Sequence, residues 1–376
     1  MPFLTYLPFA FLNFVLKGRR FVPREYLIAT LLASVYILMR LLFTLAGGEI
    51  EVGLKDYFYC AIPWIFLVLL GGLRTSDDNY WLLKAYFYLN LAVAFFSKVP
   101  LDITRRIIHA YYAFGMGNIV SGHKYLDYLT YRPGGMLIHA PWFGFMMYLL
   151  GRVFFMREKK KYYLALSLAA IIISGAKGAL LSFIIIEGFL FLRIHRSWLI
   201  RSGKAILAGL LLFLLLAVIY RISPYFHEVM DIIFLDYITG GEWGFYSIAY
   251  RLEMYSWAFR DIAGFILGGT ISVAHLSEIG RTYIDSEFVM RSLQFGFIGY
   301  LLFLANYAVF FYRASRSGSA EISEAGRFLL LFVFLGTLST TIATNMVFVL
   351  FLVIIVDLYE RDMAFSRFSP ESLVKE

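Results

Sequence analysis

Residues 162–192 read YYLALSLAAIIISGAKGALLSFIIIEGFLFL. Only Lys177 and Glu187 carry charge in this stretch, and Ser174-Gly175-Ala176-Lys177-Gly178 cuts the apolar run in two. Each half, 162–174 and 179–192, is shorter than the roughly 18–20 residues that cross a bilayer upright. They form two tilted spans or one re-entrant hairpin, and either way the medium is lipid. Residues 328–359 repeat the situation. The fold class these stretches set is an all-α polytopic membrane protein.

Composition agrees. Hydrophobic residues make up 60% of the 376, charged residues 16%, and mean hydropathy is +0.72. Soluble domains sit near 45–50% apolar and about 25% charged. Thirty-eight Phe and 27 Tyr suit a heavy interfacial belt. Cys60 is the single cysteine, which rules out an intramolecular disulfide and a cysteine-based metal site. A net charge of +8 in a soluble chain would raise nucleic acid. Here the basic clusters sit in short connections between apolar runs, so topology and anionic headgroups account for them and no nucleic-acid partner is expected.

About eleven spans of about 20 residues fit the length. They fall at 3–16, 26–46, 57–73, 80–96, 136–155, 162–174, 179–192, 205–220, 288–311, 328–343 and 346–359. The basic connections 17–24, 152–161, 193–204 and 313–327 alternate so as to share one side, the cytoplasm. The first run has no basic residue before it and four just after, the order of an uncleaved span. The whole of 1–376 is expected to be one transmembrane domain, with a large outer loop at 221–287 and a cytoplasmic tail at 360–376. A second outer segment covers 97–135.

Both outer segments hold arginines: Arg105, Arg106 and Arg132 in one, Arg221, Arg251, Arg260 and Arg281 in the other. Arg132 precedes Pro133-Gly134-Gly135 and then His139-Ala-Pro141-Trp142, a sharp turn into a span in which Pro141 should loosen the first turn. An arginine there holds an anion or caps a helix. Lys177 between two glycines can approach a phosphate closely, or snorkel from a tight turn. Arg251 offers paired donors to a phosphate, and Trp257 offers a face for a sugar or a seat in the headgroup layer. Asp285 and Glu287 stand where the span at 288 begins. A carboxylate there can accept the proton of an attacking hydroxyl; His275 is the competing base. Arg291, Arg260 and Arg281 are further cation candidates. Within spans, Arg40 could face a substrate cavity, while Lys84 and Glu187 can snorkel inward. No phosphate-binding glycine loop ending in Gly-Lys-Ser/Thr and no His-Glu-x-x-His is present, so neither ATP drive nor a zinc-protease site is expected.

At Arg132/Gly135/Pro141, Ser174-Gly175-Ala176-Lys177-Gly178, Arg251/Trp257, Leu267-Gly268-Gly269 and Gly296-Phe-Ile-Gly299, the chain resembles the O-antigen polymerase and ligase superfamily of bacterial surface-polysaccharide assembly. The likeness lies in order and spacing over about residues 125–300. It departs at Lys177, where arginine is usual, and at Asp285-Ser286, where ligases carry a histidine pair. The resemblance implies an inner-membrane glycosyltransferase using undecaprenyl-pyrophosphate-linked glycans as donor and acceptor, inverting, with no metal or other cofactor. It further implies a chain-length regulator protein as a partner, besides membrane lipids. Taken with the residues read above, the expected catalytic set is Asp285, Glu287 and His275, and the expected substrate-binding set is Arg132, Lys177, Arg251, Trp257 and Arg281. A polymerase is the first expectation. A ligase moving polymer onto lipid A-core, or a lipid-linked oligosaccharide flippase, are the alternatives. A transporter of the latter kind tends to show two matching halves, and this chain shows none.

Overall fold

The computed structural model describes residues 22–46, 61–71, 77–96, 137, 139–194, 255–256, 259, 262–268, 286–343 and 345–367. Among these the structure is helical, with no strand. Its helices are α1 (Arg24–Ala46), α2 (Ala61–Gly71), α3 (Asp77–Phe96), α4 (Ala140–Glu158), α5 (Tyr162–Ser174) and α6 (Lys177–Ile194). They continue with α7 (Ile262–Leu267), α8 (Glu287–Phe303), α9 (Ala305–Ser315), α10 (Ala320–Ser339) and α11 (Met346–Arg367). Three stretches of described residues are long and apolar enough to cross a membrane: Arg24–Phe43, Glu287–Ser315 and Ala320–Ser339. The expected spans 3–16 and 205–220, and nearly all of the 221–287 loop, lie outside the described residues. The described helices are not the expected spans one for one, because α7 has six residues and α8 and α9 share a span.

The chain divides into two units, Met1–Phe183 with Ala263–Glu376, and Ile184–Ile262. In the second, Tyr255 and Phe259 stack with centroids 6.3 Å apart, one turn apart in sequence. The geometry described below is that of the first unit.

Helix α4 is its centre. From Ala140 to Met156 it is apolar around nearly its whole circumference, and Phe143 to Phe154 are buried without interruption. A helix apolar all round belongs inside a bundle. Gly144 and Gly151, one heptad apart, let α5 lie close. A Cβ on Gly151 would fall 1.8 Å from Ser167 Oγ, and one on Gly144 would fall 2.4 Å from Ala176 Cβ. Ser167 Oγ bonds Met147 O at 2.7 Å across this seam. On another side α10 runs antiparallel, with Phe328 and Phe332 against Tyr148 and Phe332 against Phe145. Helix α1 packs on α8 and α9, where Asn306 and Thr30 share a buried hydrogen bond and Tyr36 covers Gly299.

One end of the bundle is ionic. Glu158 pairs with Lys84 and accepts from Tyr80 and Tyr163. Arg157 meets Asp362 at 2.9 Å, Arg152 meets Glu324, and Lys159 meets Glu321 at 3.1 Å. Arg313 forks onto Glu360 at 2.8 and 2.9 Å and reaches Glu25 at 3.3 Å, while Tyr26 donates to Glu360. These bonds gather the starts of α1, α3 and α10 with the ends of α4, α9 and α11. The basic connections at 152–161 and 313–327 therefore share one end of this unit.

Two local expectations change. The fifth expected span starts at Ala140 rather than 136, and Pro141 lies in its first turn, where no N–H is required. Pro141 starts the helix instead of loosening it. The expected continuous helix over 288–311 is interrupted twice: Gly296 leaves helical geometry at φ 78°, ψ 164°, and Leu304 forms a turn before α9.

Candidate functional site

The opposite end of the unit is where helices break. Helices α4, α6, α8 and α11 begin there. Helix N-termini carry uncommitted N–H groups and a partial positive charge, so this end suits an anion better than the ionic end does.

Helix α5 stops because Gly175 adopts the left-handed conformation, φ 60° and ψ 30°. Its N–H reaches Ile172 O at 3.0 Å and that of Ala176 reaches Ile171 O at 3.2 Å, the paired bonds of a Schellman stop. Lys177 is then the first residue of α6, half-buried. The turn is wedged between neighbours. Ala176 sits against Gly144, and a Cβ on Gly178 would fall 1.8 Å from Ser339 Oγ at the end of α10. The geometry of 162–183 is a helical hairpin with a tight turn: Gly144 and Tyr148 of α4 meet Ala179 and Phe183 in the same direction along α6.

Helix α4 begins from an extended His139, whose exposed ring lies 4.7 Å from that of Trp142. Trp142 Nε1 donates to Thr340 Oγ1 at 3.1 Å. Thr340 opens the break between α10 and α11, which Asn345 closes by accepting from the N–H of Val347 at 3.0 Å.

Helix α8 starts on the other side of this break. Ser286 is its N-cap, accepting from Val289 N–H and donating to Thr337 O, both at 3.4 Å. Glu287 is 1% exposed, and its Oε2 accepts the N–H groups of both Ile342 and Ala343 at 2.7 Å. Two charge-assisted bonds fix the first turn of α8 onto the α10–α11 break. Arg291, 2% exposed, lies one turn on; its Nη1 donates to Gln294 at 2.5 Å and its Nε is 4.0 Å from Glu287 Oε1. Further along, Tyr300 donates to Thr337 Oγ1 at 2.8 Å.

Of the residues singled out from sequence, Lys177 and Glu287 belong to this end, on different sides of α10's last turn. Lys177 sits at the anion-favouring start of α6. Glu287, expected as a possible base at a loop edge, is buried, and its Oε2 is engaged with two backbone N–H groups of the α10–α11 break. Arg132, Arg251, Trp257, His275, Arg281 and Asp285 lie outside the described residues. Two motif pieces do meet: Leu267-Gly268, closing α7, and Gly296 of α8 are in backbone contact. The α10–α11 break was not recognised as part of a site from sequence, although residues 339–345, Ser-Thr-Thr-Ile-Ala-Thr-Asn, crowd four hydroxyls and an amide between two apolar runs.

The class these features define is a helical protein with helices fit to cross a membrane and a polar, break-rich end. No protein-family model matches the chain, and no curated protein matches it.

Proposed function

We propose that the chain is a polysaccharide polymerase of a bacterial inner membrane. It would join undecaprenyl-pyrophosphate-linked repeat units on the outer face by inverting glycosyl transfer. The observation that supports this reading is the meeting, at one end of the unit, of the α4 start, the Lys177 turn and the α8 start. Pro141 at the α4 start and the Lys177 turn belong to pieces on which the family resemblance rests, and the α8 start, more than 140 residues beyond Pro141, directly follows Asp285 in sequence.

In the proposed reaction the acceptor hydroxyl oxygen attacks the donor's anomeric carbon. The bond from that carbon to the pyrophosphate oxygen breaks, and undecaprenyl pyrophosphate leaves. Lys177, Arg132, Arg251 and Arg281 stabilise the charge growing on the leaving group, where fixed cations lower the barrier most. Asp285 takes the hydroxyl proton, with Glu287 and His275 as its rivals, and Trp257 stacks on sugar. Glu287 holds the first turn of α8.

A deletion strain tests the reading. Gel ladders of surface glycan should collapse to single repeat units on the acceptor. Unchanged chain length refutes the proposal. Loss of all attached glycan indicates a ligase, and lipid-linked units trapped inside indicate a flippase.

A further inference from the structure

A groove of about 450 Å³ lies between α1 and α9, away from the polar end and independent of the glycan reading. Ala29, Ala305 and Ala308 are too small to fill the crossing. Ile28, Leu32, Leu302 and Val309 wall it, and Glu25 and Tyr312 mark its mouth. The walls are apolar and several are exposed: Ile28, Leu32 and Tyr312.

Its dimensions and rim fit one kind of occupant. From Leu302 to Tyr312 is ten residues, about 15 Å at helical rise. That is half of the ~30 Å hydrocarbon core, the depth of a single leaflet. The mouth lies at the ionic end, where Arg313 reaches Glu25 at 3.3 Å and the guanidinium of Arg316 sits 4.3 Å over the Tyr312 ring. Arg24 and Arg316 are exposed there, while Arg313 is committed to Glu360 and Glu25. A tyrosine at the interface with arginines just beyond it is the arrangement that receives a phosphate headgroup above an acyl chain. We infer that this groove holds one acyl chain of an anionic phospholipid from the leaflet at the ionic end, with Arg316 and Arg24 meeting its phosphate.

The test uses the full chain, delipidated in detergent and titrated with phosphatidylglycerol or phosphatidylcholine under native mass spectrometry. The wild type should retain one phosphatidylglycerol in preference to phosphatidylcholine. Arg316→Gln, on an exposed side chain, should cut that preference about fivefold, the weight of one basic residue at an anionic surface. Ala308→Phe fills the groove and should abolish retention of both lipids. A photoreactive residue at the exposed Leu32 keeps the result independent of that variant's folding: it should crosslink to phosphatidylglycerol. Crosslinks to residues 3–16 of the chain or to a second copy would overturn the inference. Equal retention of both lipids, undisturbed by Arg316→Gln, would do the same.

Discussion

Gly268 rests on Gly296, each with a positive φ, 76° and 78°. A Cβ on Gly268 would lie 2.2 Å from the backbone nitrogen of Gly296, and one on Gly296 would lie 2.5 Å from Ile266 O. The end of α7 thus crosses α8 where α8 leaves helical geometry. Gly318 has a similar φ of 75° but nothing within 4 Å of its would-be Cβ. The comparison separates backbone strain from close approach. Gly318→Ala should cost only the left-handed term, about 1–2 kcal/mol. Gly296→Ala should cost clearly more, read as a larger fall in thermal midpoint in detergent. Equal losses would show that the crossing is not tight.

The Glu287 clamp predicts a second loss. Glu287→Ala strips the carboxylate from two buried N–H groups and removes the carboxylate 4.0 Å from the Arg291 Nε. Breaking one side of a buried charged network costs about 3–5 kcal/mol. Glu287→Gln keeps an accepting oxygen and should lose less. Equal unfolding midpoints for wild type and Glu287→Ala would remove the clamp from the account.

At the ionic end the Glu158 carboxyl is held down to about 2: burial works against the charged form, but hydrogen bonds from Lys84, Tyr80 and Tyr163 outweigh it. Its ordinary value is about 4.3. A carboxyl lowered by folding lends stability that is complete above about 4.3 and fades as pH falls towards 2. Glu158→Gln should therefore unfold at lower temperature than wild type at pH 7. The two curves should converge as pH drops through that window. A gap that persists unchanged at pH 2 would assign the effect to packing instead.

Topology gives a fourth prediction. In a Cys60→Ala background, a cysteine at Lys160 should label from the cytoplasm and one at Glu242 from outside. Labelling of both from one face would contradict the arrangement.

Much of the fold was legible because its punctuation is local. The span expected at 162–174 matches α5 residue for residue, since Gly175 stops the helix in a way any Gly after an apolar run suggests. The expected ends at Ala46 and Phe96 and the start at Met346 also stand. The kink in α8 was hidden, because Gly296-Phe-Ile-Gly299 reads equally as a packing face of a straight helix. Only Gly268 lying across it decides otherwise. The backbone clamp made by Glu287 was hidden for a similar reason: its partners lie 55 and 56 residues away, and no spacing rule joins them. The basic connections could be read from sequence, but not their carboxylates on α10 and α11, Glu324, Glu360 and Asp362. Such pairing belongs to the bundle rather than to any segment.

The most direct test of the proposed function supplies the purified full chain with an undecaprenyl-pyrophosphate-linked oligosaccharide and follows product length and released lipid pyrophosphate. A ladder of lengthening products should form without added nucleotide. Lys177→Ala should weaken donor binding as well as turnover. Asp285→Asn should lower turnover by about 10²–10⁴-fold with donor binding nearly unchanged. Near-normal turnover in Asp285→Asn alongside loss in His275→Ala would move the base to His275. No lengthening by the wild-type protein on a donor it binds would contradict the account itself.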